Sequence, residues 1–216
     1  MEINSLYQFR YYIKGINPLI WRRLLIKGSH TLADLHHSIQ MSYGWTNYHL
    51  HQFTIRGKTY GIYSGYMEYA EDADQTTIEC LNLRKNEKFL YEYNFTSNWK
   101  VEARLEKISE IETNRSYPIC LSGSRSGPPE DCGGAHSYME LDEYYSDYKI
   151  MEIIANRVDE IKEDGDDIDC LRGTLNELEY WVKRNKFDRN EANLLLNKFA
   201  NRTPDWEDYM DEMLYL

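Results

Sequence analysis

The chain has little that would staple, thread or anchor it. Its four cysteines, at positions 80, 120, 132 and 170, are too few and too scattered for a disulfide framework, and no two stand at C-x-x-C spacing. No stretch approaches the ~18 apolar residues of a membrane helix. The start, Met-Glu-Ile-Asn-Ser-Leu, lacks the cationic-then-apolar order of a secretory signal. These absences predict a soluble, cytoplasmic protein with reduced thiols. No catalytic or cofactor motif stands out either, so no complete catalytic constellation can be read and no cofactor is expected. Prolines number five, and three of them, Pro118, Pro128 and Pro129, crowd into one loop.

Positive charge is also scarce, with 25 Lys and Arg against 36 Asp and Glu, a net charge of −11. That balance argues against a nonspecific binder of nucleic acid or anionic membrane, which needs cations to displace counterions. The deficit is uneven. Residues 1–60 carry seven bases against two acids, whereas 61–150 and 151–216 each carry nine against seventeen. The basic third either meets an acidic partner or complements the chain's own acidic remainder, and the internal explanation is preferred. Apolar residues, at 42% of 216, suffice for a packed core. Tyrosine is abundant at 19; its ring buries while its hydroxyl stays wet, which places many tyrosines at half-buried or contact surfaces.

Residues 6–13 and 19–26 are aromatic and β-branched runs separated by Gly15 and Asn17-Pro18, and they read as a strand pair. Thr31 and Asp34 form a capping-box pattern ahead of Leu32, Leu35, Ile39 and Tyr43, so a helix of about three turns should end at Gly44. Residues 49–56 alternate, with His49, His51, Phe53 and Ile55 on one side, before a turn at Gly57-Lys58. Residues 88–95 and 100–108 flank Thr96-Ser97-Asn98 as a hairpin. Helical spacing then takes over in 138–162, 171–184 and 190–201. The acidic connector 163–169 resembles a calcium loop only in part, because the twelfth position counted from Asp164 is Leu175 rather than a bidentate Glu.

The loop from Tyr117 to Gly134 concentrates four glycines, three prolines, Cys120, Cys132, Glu130 and Asp131. Such a loop holds one shape: the glycines permit positive φ, and the prolines fix theirs. It is read first as structural and second as a ligand site. Cys120 and Cys132 bracket it, leaving a disulfide or a metal shared with His136 as lesser alternatives. His36, His49 and His51 are candidate metal ligands if helix and strand converge, although histidines in such places more often satisfy internal partners. Arg22 paired with Glu130 or Asp131 would clasp the loop. A Ser-His-Asp reading through Ser122, Ser124 or Ser126 has no nucleophile elbow behind it.

Several separated motifs occur in a fixed order: Pro18-Leu-Ile-Trp-Arg-Arg, Thr31-Leu-Ala-Asp-Leu-His36, Tyr43-Gly-Trp45, His49-Leu-His-Gln-Phe53, Tyr117-Pro and Gly127-Pro-Pro-Glu-Asp-Cys-Gly-Gly134. Together these resemble the plasmid pRiA4b open-reading-frame-three-like family from about Tyr7 to about Pro204. The resemblance implies an α+β fold and an association with mobile elements, some relatives carrying a resolvase-like label that no recombinase motif here supports. One departure is informative. Where the family typically reads Asp-Phe-Gly-Asp-x-Trp-x-His, this chain has Asn94-Phe-Thr-Ser-Asn-Trp-Lys-Val101. The Phe95 and Trp99 framework remains, while both acids, the glycine and the histidine are gone. Either an ancestral reactive site has been lost, or a strained turn is now held by Asn94 and Ser97.

The sequence thus predicts an α+β protein with a mostly antiparallel sheet packed on one early helix. Residues 1–136 form the sheet-plus-helix core, and 137–216 form a helical portion packed on it. The expected function is a non-catalytic binding protein, with an unknown protein partner preferred to nucleic acid and no membrane. The candidate ligand or partner site comprises Arg22, His36, His49, His51, Trp99, Glu130 and Asp131. Two other readings stay open: a metal-dependent hydrolase or nuclease using the His and acid residues with a divalent metal, and an acidic regulator of a nucleic-acid-binding protein.

Overall fold

The computed structural model describes residues 5–61, 71–112, 114–164 and 168–202. Residues 62–70, residues 165–167 of the acidic connector and the residues after 202 lie outside the described residues. Eight strands form one sheet: β1 (Ser5–Ile13), β2 (Trp21–Lys27), β3 (His51–Ile55), β4 (Lys58–Gly61), β5 (Glu71–Asp72), β6 (Lys88–Tyr93), β7 (Trp99–Glu110) and β8 (Ile119–Ser124), in the order β5-β4-β3-β6-β7-β1-β2-β8. Every pairing is antiparallel except the short β4–β5 pair. Among the described residues the α-helices are α1 (Leu32–Tyr43), α2 (Gly134–Tyr144), α3 (Asp147–Asp164), α4 (Ile168–Lys183) and α5 (Arg189–Ala200). The fold is α+β, and no described helix is long and apolar enough to cross a membrane.

Alternation in the sequence becomes two different faces. Phe9, Tyr11 and Ile13 of β1, Leu24 and Ile26 of β2, Tyr91 and Tyr93 of β6, and Trp99, Val101 and Leu105 of β7 all point into one core against α1. The other face is polar, cross-linked by Arg23 to both oxygens of Glu106 at 2.6 and 3.1 Å and by Lys88 to Glu102 at 2.6 Å. This is how an antiparallel sheet covers one side and wets the other. The expected capping box is present: Asp34 N donates to Thr31 Oγ1 at 3.1 Å and Thr31 N to Asp34 Oδ2 at 2.8 Å, and Gly44 closes α1 in the left-handed region. Residues 138–162 are two helices rather than one. The break falls at Tyr145-Ser146, where the Tyr145 amide ends α2 on Leu141 O and the Ser146 carbonyl takes the Ile150 amide.

The apolar cluster runs on from the sheet into the helical portion through Ile150, Leu178, Trp181, Leu196 and Phe199. α5 lies along the outer edge of the sheet. Asn193 receives the Cys120 amide on Oδ1 at 2.8 Å and donates Nδ2 to the Cys120 carbonyl at 2.9 Å, so one side chain completes the hydrogen bonding of a β8 residue as a neighbouring strand would. Asp142 of α2 holds two buried arginines, Arg125 at 2.8 Å and Arg184 at 2.7 Å, tying the loop, α2 and the end of α4 together. Tyrosines go deeper than composition suggests. Tyr11, Tyr43, Tyr91, Tyr93 and Tyr138 are buried, and the hydroxyls of Tyr11, Tyr91, Tyr93 and Tyr138 meet internal partners in place of water.

Candidate functional site

The expected loop 117–134 is in part strand, since residues 119–124 are β8 paired to β2, and the segment after it, 125–134, docks over the end of the sheet where β6 turns into β7. Trp99, wholly buried, donates Nε1 to the Glu130 carbonyl at 2.8 Å, and Trp45 donates to the Pro128 carbonyl at 3.0 Å. Two glycines work by close approach or backbone shape. A Cβ on Gly127 would stand 1.9 Å from the Tyr43 carbonyl oxygen. Gly134, at φ +89, brings its Cα against the Ser97 carbonyl, where a Cβ would sit 2.0 Å away. Gly127 therefore serves closeness rather than the positive φ expected of it. The cysteines stay thiols: Cys120 is buried and Cys132 half-buried, and His136 faces solvent beside Glu140 at 3.6 Å.

Glu130 is the centre of the clasp. Its Oε2 accepts the Thr46 amide at 2.7 Å and the Thr46 hydroxyl at 2.8 Å, and its Oε1 accepts the Tyr93 hydroxyl. Burial, followed by the Glu130 carboxylate, pushes the Tyr93 pKa far up, so the phenol stays a donor. Asp131, by contrast, is exposed; its Oδ1 accepts His49 Nε2 at 3.0 Å and Asn94 Nδ2 at 3.1 Å. His49 is not on β3, which begins at His51, and the two imidazoles point to different places. The clasp also needs no arginine: Arg22 gives its hydrogen bonds to the carbonyls of Ser42 at 2.8 Å, Trp21 at 2.9 Å and Ser124 at 3.0 Å.

Beneath the clasp, His36 and His51 stack with ring centroids 3.5 Å apart and planes within 9°. Four side chains and one amide around His36 close a ring of hydrogen bonds. Gln40 Nε2 donates to Tyr91 Oη at 2.7 Å, Tyr91 Oη meets His36 Nδ1 at 2.8 Å, His36 Nε2 meets Asn47 Oδ1 at 2.6 Å, and the Asn47 amide returns to Gln40 Oε1 at 3.2 Å. Only one proton order satisfies every member: the Asn47 carbonyl must accept, so Nε2 carries the proton and Nδ1 accepts from Tyr91. His36 is therefore a neutral imidazole. Desolvation first, and then His51 and His37, push its pKa well below the usual range; desolvation pushes His51 down to about 3.

This arrangement holds shape better than it moves protons toward a substrate. Both His36 nitrogens are engaged, and His49 turns to Asp131 instead of joining the stacked pair. Among the described residues no group of three or more His, Cys, Asp or Glu is arranged to hold a metal ion. The loop serines lie elsewhere: Ser122 Oγ meets Arg23 at 3.4 Å, and Ser126 Oγ donates to the Lys186 carbonyl at 2.7 Å. The altered hairpin is an Asx turn, with Asn94 at φ +50 accepting the Ser97 amide on Oδ1 at 3.1 Å. Sequence reasoning missed Thr46, Asn47, Gln40, Tyr91 and Tyr93. The last two were legible from the alternation of 88–95, which puts Phe89, Tyr91 and Tyr93 on one face.

The family model described as plasmid pRiA4b ORF-3-like protein matches residues 5–170, most of the chain and all of the clasp. The chain belongs to this family. Family membership comes with the predicted α+β fold but without a described activity. A curated relative, "Uncharacterized protein y4hQ" of Sinorhizobium fredii, is 26% identical over 149 residues, which are 67% of this chain and 75% of that protein. The crystal structure of a protein of unknown function from Methanosarcina mazei Go1, MM3350, is similar with a TM-score of 0.64 and 29% identity, over 87% of this chain and 97% of that one. Neither title names a ligand or a reaction.

Proposed function

We propose that this pRiA4b ORF-3-like protein is a cytoplasmic, non-catalytic binding protein that engages a protein partner with the surface around its clasp, in the mobile-element setting its family resemblance implies. The observation that carries this reading is that internal donors engage both oxygens of Glu130. Three internal donors occupy its two oxygens, so the acid with the best surroundings for chemistry is committed to holding the loop. What the clasp presents outward is a contact surface. Tyr48 is 75% exposed and its ring meets His49 edge-on, while Leu50 and Phe95 are exposed on either side of the Leu50 carbonyl to Asn94 amide bond. Exposed aromatic and aliphatic side chains beside the open Asp131 carboxylate suit a protein surface offering an apolar patch and a cation. The net charge of −11 makes nucleic acid the poorer partner.

Affinity capture from source-cell extract, run in parallel with wild type and with Tyr48→Ala, tests the reading. Tyr48→Ala should leave the melting temperature in place and remove the specifically retained protein, since loss of an anchor side chain typically weakens binding by about 2 kcal/mol or more. Retention unchanged by Tyr48→Ala and by Phe95→Ser would overturn the assignment of the surface. Metal analysis of the purified protein addresses the hydrolase alternative. Stoichiometric Zn, Mn or Mg, with a melting temperature lowered by chelation, would replace the binding reading with a metalloenzyme.

A further inference from the structure

A second site lies at the other end of the same loop. Arg22 is 1% exposed and among the described residues its guanidinium has no carboxylate partner; Nε and Nη1 spend their hydrogen bonds on three carbonyls, and none of the described residues offers Nη2 an acceptor. Its flat faces are covered by Phe187 at 3.9 Å and Tyr43 at 4.9 Å from the ring centroids. This clamped cation lines a pocket of about 160 Å³ with apolar walls from Met41, Phe187 and Leu195 and with Asp188 and Glu191, both exposed, at its edge. A buried cation without a counter-anion is costly, and carbonyl dipoles offset only part of that cost. A space of this size suits a ligand of a few heavy atoms better than a drug-sized one, whose sites begin near ~300 Å³. Acids at the edge disfavour a dianion. A carboxylate facing Arg22, with a cationic group facing the edge, neutralises both ends.

We propose that the pocket over Arg22 binds a small zwitterion, an amino-carboxylate whose carboxylate meets Arg22 and whose ammonium group lies against Glu191 and Asp188. Asp188 already spends Oδ1 on the Asn190 and Glu191 amides as the cap of α5, which leaves Glu191 as the more available edge acid. Calorimetric titration of the full chain with 4-aminobutyrate, butyrate and butylamine tests this. The amino-carboxylate should bind most tightly, butyrate more weakly and butylamine not at all. Glu191→Gln, on the exposed first turn of α5, should cut 4-aminobutyrate affinity about two- to fivefold, the range of a solvent-facing charge pair, and leave butyrate unchanged or tighter. Arg22→Met should weaken both carboxylates by about tenfold or more; if that variant does not fold, the Glu191→Gln comparison decides alone. No heat with either carboxylate, equal affinity for the two, or an amino-carboxylate advantage that survives Glu191→Gln overturns the proposal. None of these outcomes bears on the Tyr48 surface.

Discussion

Acidification from about pH 7 to about pH 5 should destabilise this fold through histidines that it keeps neutral. His51 is pushed down to about 3, by desolvation first and by His37 second, and faces His36, Tyr91 and Phe53. His37 is pushed down to about 4, again by desolvation first, with Arg202 helping and Asp34 opposing. An exposed imidazole titrates near ~6.5, so below that pH the unfolded chain takes up protons that the folded chain refuses. Stability is full above about pH 6.5 and is lost as pH falls toward the folded values. Each of the two histidines then costs about 2 kcal/mol between about pH 7 and about pH 5, or about 4 kcal/mol together. His36 adds in the same direction, because protonating Nδ1 would break the hydrogen-bond ring it closes. Against a typical total of about 5–15 kcal/mol this is a large fraction. Carboxylates held low, such as Glu87 at about 2 beside Arg56, act at more acidic pH, so the window belongs to the histidines. Urea unfolding followed by tryptophan fluorescence across that range measures the slope, and His51→Gln should flatten it by about 2 kcal/mol whatever its absolute stability. A flat wild-type profile, or identical slopes for wild type, His51→Gln and His37→Gln, would refute the burial argument.

Three further substitutions probe the scaffold. Asp142→Asn removes the carboxylate shared by Arg125 and Arg184, both nearly buried, and should cost about 3–5 kcal/mol in chemical denaturation. Gly127→Ala drives a methyl into the Tyr43 carbonyl and should cost about 3 kcal/mol or more, with hydrogen exchange rising first at the Thr46 amide that Glu130 holds. Asn193→Ala strips both bonds from Cys120; a loss of about 1–3 kcal/mol is expected, along with concentration-dependent association on size-exclusion chromatography as the β8 edge opens.

The elements were legible where local chemistry alone decides them. Thr31, Asp34 and Gly44 mark both ends of α1, aromatic and β-branched runs give β1 and β2, and two-residue alternation gives β6 and β7 with their buried faces, because capping, strand propensity and pleat geometry involve only near neighbours. The crowding of glycine, proline and acid in 117–134 marked a loop where only 125–134 is one, because 119–124 pair with β2 as β8; the same motifs carried the family. Alternation also put His49 in register with His51, and there local reasoning fails: β3 starts at His51, which pairs with Tyr93, the last residue of β6, and the His49 imidazole goes to Asp131, 82 residues away.

The partners of every candidate side chain were decided by tertiary structure. A sequence states that Glu130 is an acid; it does not state that Thr46 and Tyr93 donate to its two oxygens and tie it to the turn after α1 and to β6. It offers Arg22 as a partner for that acid, whereas β2 points the guanidinium at the carbonyl end of α1 and into a pocket closed by Phe187, 165 positions downstream. Hydrogen bonds and ion pairs reach only a few ångströms, so which groups meet depends on how the sheet, α1 and α5 pack. The residue types and their periodicity were determined by the sequence; which groups each polar side chain meets was decided by long-range packing.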